Sequence, residues 1–257
     1  MALRLSTALT TFLLREGCFK RAFHGGKIKI YTGSQPANAD AIPTGSLLVI
    51  ISDSSGALTA EVLSNGNITL TGGTNGSITS VTINSVEFLG AGAVPFNTNL
   101  NTTAVDLATA INNSMALPHY TAEASGAVVT IKALPLTGTT PNGYAVACTV
   151  TGDITKSTAN LANGVAQING LKFGSVANGQ LDIAPNVWSG IAVAVGTAGW
   201  FRFQGTIADD DSASPKFLRL DGNITNSGSN LDMASTAVTG NPQVITVSTF
   251  SVIEPAA

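Results

Sequence analysis

From Thr44 onward the chain is cut into short apolar runs by turn-forming clusters, and this cadence limits the fold more than any other feature. TGSLLVIIS is an apolar, β-branched run of strand length, and SSG at 54–56, SNGN at 64–67 and TGGTNG at 71–76 punctuate the chain beyond it. Runs this short bury their faces only by pairing and stacking with one another. The expected architecture is therefore mainly β, an antiparallel β-sandwich or roll.

The N-terminus departs from the cadence. Leu5, Leu9, Phe12 and Leu13 fall at i, i+4, i+7 and i+8, one apolar stripe on a short helix, with Gly17 as its terminator. That stripe either packs on its own domain or docks on a neighbouring subunit. MALRLSTALTTFLLREGCFKRAF shares basic and hydroxyl residues with targeting peptides. However, Arg15 and Glu16 follow the apolar stretch at once and no A-x-A pattern occurs, so it reads as part of the mature fold. After Gly25-Gly26, KIKIY puts Ile28 and Ile30 on one strand face and Lys27, Lys29 and Tyr31 on the other. The two prolines of GSQPANADAIP exclude a regular central strand there.

A second departure lies between Thr74 and Ala159. ITSVTINSVEF reads as a hairpin and TTAVDLATAINN as a helix capped by Thr103, with Asp106 three residues on and Leu107, Ala108 and Ile111 as its apolar face. YTAEASGAVVTIKA is a hairpin turning near Ser125-Gly126, and GYAVACTVTGD a closing strand. The order ββαβββ describes a small α+β module, and the segments flanking it read as each other's continuation. The expected organisation is a host β domain of residues 1–73 and 160–257 with an inserted α+β domain at 74–159.

Composition then narrows the function classes. Charged residues make up 11% of the chain, the formal net charge is −3, and no Lys/Arg block occurs, which argues against a nucleic-acid groove. Cys18 and Cys148 lie far apart and outside any CxxC spacing, so they read as small buried hydrophobes. No apolar run has the length of a membrane span. His24 and His119 are the only histidines and sit at element ends, and no G-x-S-x-G, Walker, G-x-G-x-x-G or H-E-x-x-H pattern is present. No catalytic residue and no cofactor is expected.

The remaining chemistry is in GWFRFQGTIADDD. Asp209, Asp210 and Asp211 are the candidate metal ligands, but an EF-hand loop starting at Asp209 would place Ala213 at its fifth position, Ser214 at its sixth and Leu220 at its twelfth. A looser site would need Asp221 or Asp232. Three adjacent aspartates followed by Ser-Ala-Ser-Pro read instead as a hydrated hairpin tip. Alternation puts Phe201 and Phe203 in the core and Trp200, Arg202 and Gln204 on the other face. Trp200 and Arg202 thus join Leu5, Leu9, Phe12 and Leu13 as the expected assembly contacts.

The N-terminal helix followed by GGKIKIYTGSQPANADAIPTGSLLVII, then NGLKFGSV, VWSGIAVAVGTAGWFRF and LRLDGNITNSGSNLDM, resembles structural proteins of tailed bacteriophages. FNTNLNTTAVDLATAINN, YTAEASGAVVTIKA and GTTPNGYAVACTVTG separately resemble small modules of phage tail and other virion proteins. The resemblance implies a virion component whose partners are its own copies and other virion proteins of the capsid, portal or neck, or tail. It leaves open a capsid-decorating or cementing protein, a tail or neck accessory protein, and a receptor- or carbohydrate-binding or carbohydrate-active tail protein using Trp200 and the aspartates.

Overall fold

The computed structural model describes residues 3–16, 18–90, 92–228, 230–247 and 249–253. Gly17, expected to end the first helix, lies outside the described residues. The chain is mainly β, with antiparallel sheets.

In chain order the first segment holds β1 (Arg4–Leu5), α1 (Thr7–Glu16), α2 (Phe19–Phe23), β2 (Lys27–Thr32) and β3 (Leu47–Asp53). The middle holds β4 (Asn65–Gly72), β5 (Ser77–Ile83), β6 (Val86–Glu87), β7 (Val94–Pro95), α3 (Leu100–Asn112), β8 (Tyr120–Ser125), β9 (Val128–Ala133), β10 (Val146–Val150) and β11 (Thr155–Ala162). The last holds β12 (Phe173–Ala177), β13 (Gln180–Ile183), β14 (Trp188–Ile191), β15 (Gly196–Gln204) and β16 (Arg219–Thr225). It closes with β17 (Leu231–Asp232), β18 (Ala237–Val238), β19 (Val244–Val247) and β20 (Ser251–Ile253).

Packing divides the chain into two compact units, residues 1–61 with 167–257, and residues 62–166. The first is built on a sheet ordered β1-β16-β15-β2-β3-β14-β19, with β17 on β16 and β18 on β15, and a smaller sheet β12-β13-β20. Its apolar core gathers Leu9, Phe23, Ile28, Ile30, Ile51, Trp188, Phe201 and Phe203. Gly199 lets β15 pass the Gly33 carbonyl, where any Cβ would collide, and the β15–β2 register shifts between Ala198 and Trp200.

The second unit carries the sheets β10-β5-β6, with β7 on β5, and β11-β4-β9-β8. α3 turns Ala104, Leu107, Ala108 and Ile111 into a core with Ile68, Val81, Val129 and Ile131. β4 and β11 belong here: β4 pairs with β9 on one side and β11 on the other. Residues 62–73 and 160–166, given to the host domain by the sequence reading, therefore pack in this unit. Turn clusters at 71–76 mark where a strand ends, but ladder pairing decides which sheet it joins.

Two helix starts differ from expectation. α1 begins at Thr7, because Ser6 accepts from the Leu9 N–H on its Oγ at 3.1 Å and so caps the helix. Leu5 is consequently a strand residue opposite Leu220, off the helical stripe. In the second unit Asn99, not Thr103, is the cap, accepting from Thr102 N at 3.0 Å. Thr103 is buried inside the helix, where its hydroxyl donates to Asn99 O at 2.9 Å. The Asn99 amide oxygen, one turn earlier, satisfies a free N–H group of the first turn.

Candidate functional site

The face of β15 that alternation assigns to the surface is interior. Trp200, Arg202 and Gln204 are each fully buried, as are Phe201 and Phe203 on the opposite face. The loops 33–46 and 205–218 roof the sheet on this side: Trp200 Nε1 donates to Thr44 O at 3.1 Å, and Ser214 N donates to Asp40 O at 2.8 Å. Trp200 stacks on Tyr31 with ring centroids 4.5 Å apart and planes 12° from parallel, and the Arg202 guanidinium lies 5.6 Å from the indole centroid. Trp200 and Arg202 are thus removed from the exposed contact face of this unit, because turn-rich loops cover it.

The aspartates are not a hydrated tip either, apart from one. Asp209 accepts from Arg219 Nε at 2.7 Å and from Arg219 Nη2. Asp211 accepts from Lys29 Nζ, from Gln204 Nε2 at 2.7 Å and from Tyr31 Oη at 3.3 Å. It is turned inward at φ 63°, and its N–H donates back to Asp209 Oδ1 at 2.9 Å. Asp210 alone is exposed; a hydrogen bond from Ser212 holds its carboxyl below the ordinary carboxylate range.

Arg202 and Asp221 face each other across β15 and β16, with Nε and Nη2 each donating to one carboxylate oxygen at 2.8 Å. Burial pushes the Asp221 carboxyl up, opposed by the Arg202 guanidinium and its hydrogen bonds. Burial alone would lower Arg219, but the hydrogen bonds and charge of Asp209, with Asp211 and Asp221, raise it. Tyr31 is pushed up by burial and then by the Asp211 charge.

Three cations, Lys29, Arg202 and Arg219, thus face three carboxylates, Asp209, Asp211 and Asp221, in one interior network. Each carboxylate already accepts from a protein cation. Among the described residues no group of three His, Cys, Asp or Glu side chains converges as a metal site. Sequence reasoning missed Lys29 and Arg219 as members and weighed Asp221 only as a further metal ligand. Their signal was present: Arg219 and Asp221 alternate with Leu218 and Leu220, so both charges fall on one strand face.

The N-terminal candidates separate in the same way. Leu9 is fully buried in the core of its own unit, and Phe12 and Leu13 pack against that core. Full burial of one leucine is worth about 1.5–3 kcal/mol, so α1 is held chiefly by its own domain. Leu5 remains 42% exposed, and Leu3 46%. With Leu9, Leu13, Phe19, Phe201, Leu220, Phe250 and Val252 they line an apolar groove of about 380 Å³, in which Asn230 is the lone polar side chain among the described residues. Asp209 and Asp210 line a separate recess with Lys27, Leu58, Ala60, Ala208 and Phe217, whereas this groove is the apolar site that the candidate assembly residues form.

Near α2, His24 Nδ1 accepts from Phe173 N at 3.1 Å, and burial followed by the charges of Lys20 and Lys172 lowers its pKa. It buttresses the joint between α2 and β12. Cys148 is buried and Cys18 exposed. No helix among the described residues is long and apolar enough to cross a membrane. No protein-family model matches the chain, and neither a curated protein nor a solved structure does.

Proposed function

We propose that this chain is a non-enzymatic structural component of a bacteriophage virion, assembling through subunit contacts as a capsid decoration or cement protein or as a tail or neck accessory protein. The observation that carries the reading is the groove beside the N-terminal segment: about 380 Å³, lined by Leu3, Leu5 and Phe19, apolar and open. An apolar element of a neighbouring subunit fills such a groove without desolvating an ion. The sequence resemblance to tailed-phage structural proteins supplies the context.

The organisation supports the same reading. We take residues 62–166 as a module inserted into a host β-sandwich or roll. Within the host, Thr59 and Ile168 exchange backbone hydrogen bonds of 3.1 and 3.0 Å; within the module, Val62 and Val165 exchange bonds of 3.0 and 2.9 Å. Each unit therefore brings its own two ends together, which makes an insertion cheap. The carbohydrate reading has no such support, since Trp200 is buried and Asp209 and Asp211 are engaged by cations.

The test is incorporation into the particle of the encoding phage. Leu5→Asp puts a charge in the groove without touching the helix core, and is expected to abolish incorporation while the chain stays folded. Absence of the wild-type chain from purified particles would defeat the reading. Copy number separates its two forms: hundreds per particle mean decoration, a few dozen or fewer mean tail or neck.

A further inference from the structure

The opposite margin of the same sheet carries a second surface. β19 is the last strand of the order and, among the described residues, pairs on one side only, with β14. Ala192 N donates to Gln243 O at 2.8 Å, which fixes the bonded register as 192/243, 190/245 and 188/247. Antiparallel alternation then turns the N–H and C=O groups of Val244 and Thr246 outward, away from β14. Beside this edge lie Ile191, Val193, Val195 and Val244, which are 50%, 54%, 60% and 63% exposed. Ile191 and Val244 are directly paired, so they share a face, and Val193 and Val195 lie in the bend that follows β14.

We propose that β19 pairs antiparallel with β19 of a second copy of this chain about a two-fold axis at Ile245, setting Val244 of each copy opposite Thr246 of the other. The inference rests on the assembly reading and assigns one of its contacts. Two observations select a second copy as the occupant. The outward groups of Val244 and Thr246 form a donor–acceptor pattern that the same pattern satisfies when rotated by half a turn, as an isologous contact requires. Charge is the other. Residues 183–201 and 233–253 contain no Asp, Glu, Lys, Arg or His. An identical neutral edge meets this one with no like-charge repulsion and no ion stripped of water, and no lysine guards the strand as edge strands are commonly guarded.

The experiment is analytical ultracentrifugation of the full chain with hydrogen exchange at two concentrations. Wild type is expected to dimerise with a dissociation constant of about 1–100 μM, a range open to a small interface. Exchange at the Val244 and Thr246 amides is expected to slow about tenfold on concentration, while amides bonded to β14 do not change. Thr246→Pro removes an outward donor and leaves the bonds to β14 intact, so it should give a monomer; Val244→Lys should do so by charge. Should Thr246→Pro fail to fold, Val244→Lys and the wild-type exchange decide alone. A wild type that stays monomeric at about 300 μM overturns the proposal. So does an oligomer that persists in folded Val244→Lys with both amides still exchanging freely. Neither result touches the assembly reading, which stands or falls on incorporation of wild type and Leu5→Asp into particles.

Discussion

The two units solve the problem of burial with different chemistry. In residues 62–166 the core is aliphatic and aromatic, and Ser64 and Thr103 are its only fully buried polar residues among those described. In the other unit one face of the sheet is equally apolar, but its reverse holds Lys29, Arg202, Gln204, Asp209, Arg219 and Asp221 beneath two loops. An apolar core tolerates imperfect partners because dispersion and hydrophobic burial are non-directional. An ionic interior does not: each charge is stable there only while its partner is present, so the second arrangement specifies loop positions at the expense of robustness.

The largest expected effect therefore comes from removing one charge. Arg219→Ala leaves Asp209 without its two guanidinium hydrogen bonds and Ser212 O without its donor. It should lower stability by about 3–5 kcal/mol. Urea denaturation gives the size, and hydrogen exchange should place the loss in β15 and β16, sparing α3 and β9. Loss spread evenly over both units would break the comparison.

Leu107→Ala makes the matched cut in the apolar core. The expected cost is about 2–5 kcal/mol, set by the cavity, with exchange rising in α3 and β8. Its size should be the same at low and high salt, and the Arg219 effect should change little as well, because a pair this deeply buried is hardly screened.

pH sharpens the contrast further. His24 accepts a hydrogen bond only when neutral, and its folded pKa lies below the ordinary 6.5. The unfolded chain thus binds the proton first. Stability is fully present above pH 6.5 and is lost as pH falls from there through the lower folded pKa. The expected loss is about 1 kcal/mol, the worth of one hydrogen bond. Denaturation midpoints at about pH 7.5 and 5.5 should differ for wild type and coincide for His24→Gln, with the change confined to the unit that holds α2.

The smallest effect is expected at Lys172, whose ammonium lies 2.9 Å from Asp53 Oδ2 with the lysine half exposed. This hydrogen bond holds the Asp53 carboxyl below its ordinary range, so its contribution is present above the ordinary carboxylate pKa and lost as pH falls through the depressed one. Lys172→Ala should cost no more than about 0.2–1 kcal/mol at neutral pH by thermal melting, as a solvent-screened pair does. A cost comparable to that of Arg219→Ala would mean that exposure does not govern the difference between these ion pairs.

How legible this was depended on the range of the interaction. The hairpin over ITSVTINSVEF, the helix over TTAVDLATAINN and the hairpin turning at Ser125-Gly126 are all present, because each is decided within a dozen residues by turn chemistry and periodicity. The apolar pairing of Leu9, Phe12 and Leu13 was legible as a stripe, but the sequence left open whether its own domain or another subunit receives it. The cap of α3 was misplaced by one turn, since Asn99 and Thr103 offer similar chemistry.

GWFRFQGTIADDD marks the boundary between what sequence and tertiary structure decide. Alternation along the strand was enough to separate Phe201 and Phe203 from Trp200, Arg202 and Gln204, because a strand has a period of two whatever surrounds it. Which of those faces meets water was not a property of the strand. It was decided by loops 33–46 and 205–218, and by Arg219, Asp221 and Lys29 arriving from other strands to neutralise the charges that the stretch carries. Periodicity is local and readable in one dimension, whereas desolvation of a charge depends on every group within a few ångströms, and those groups come together only when the chain has folded.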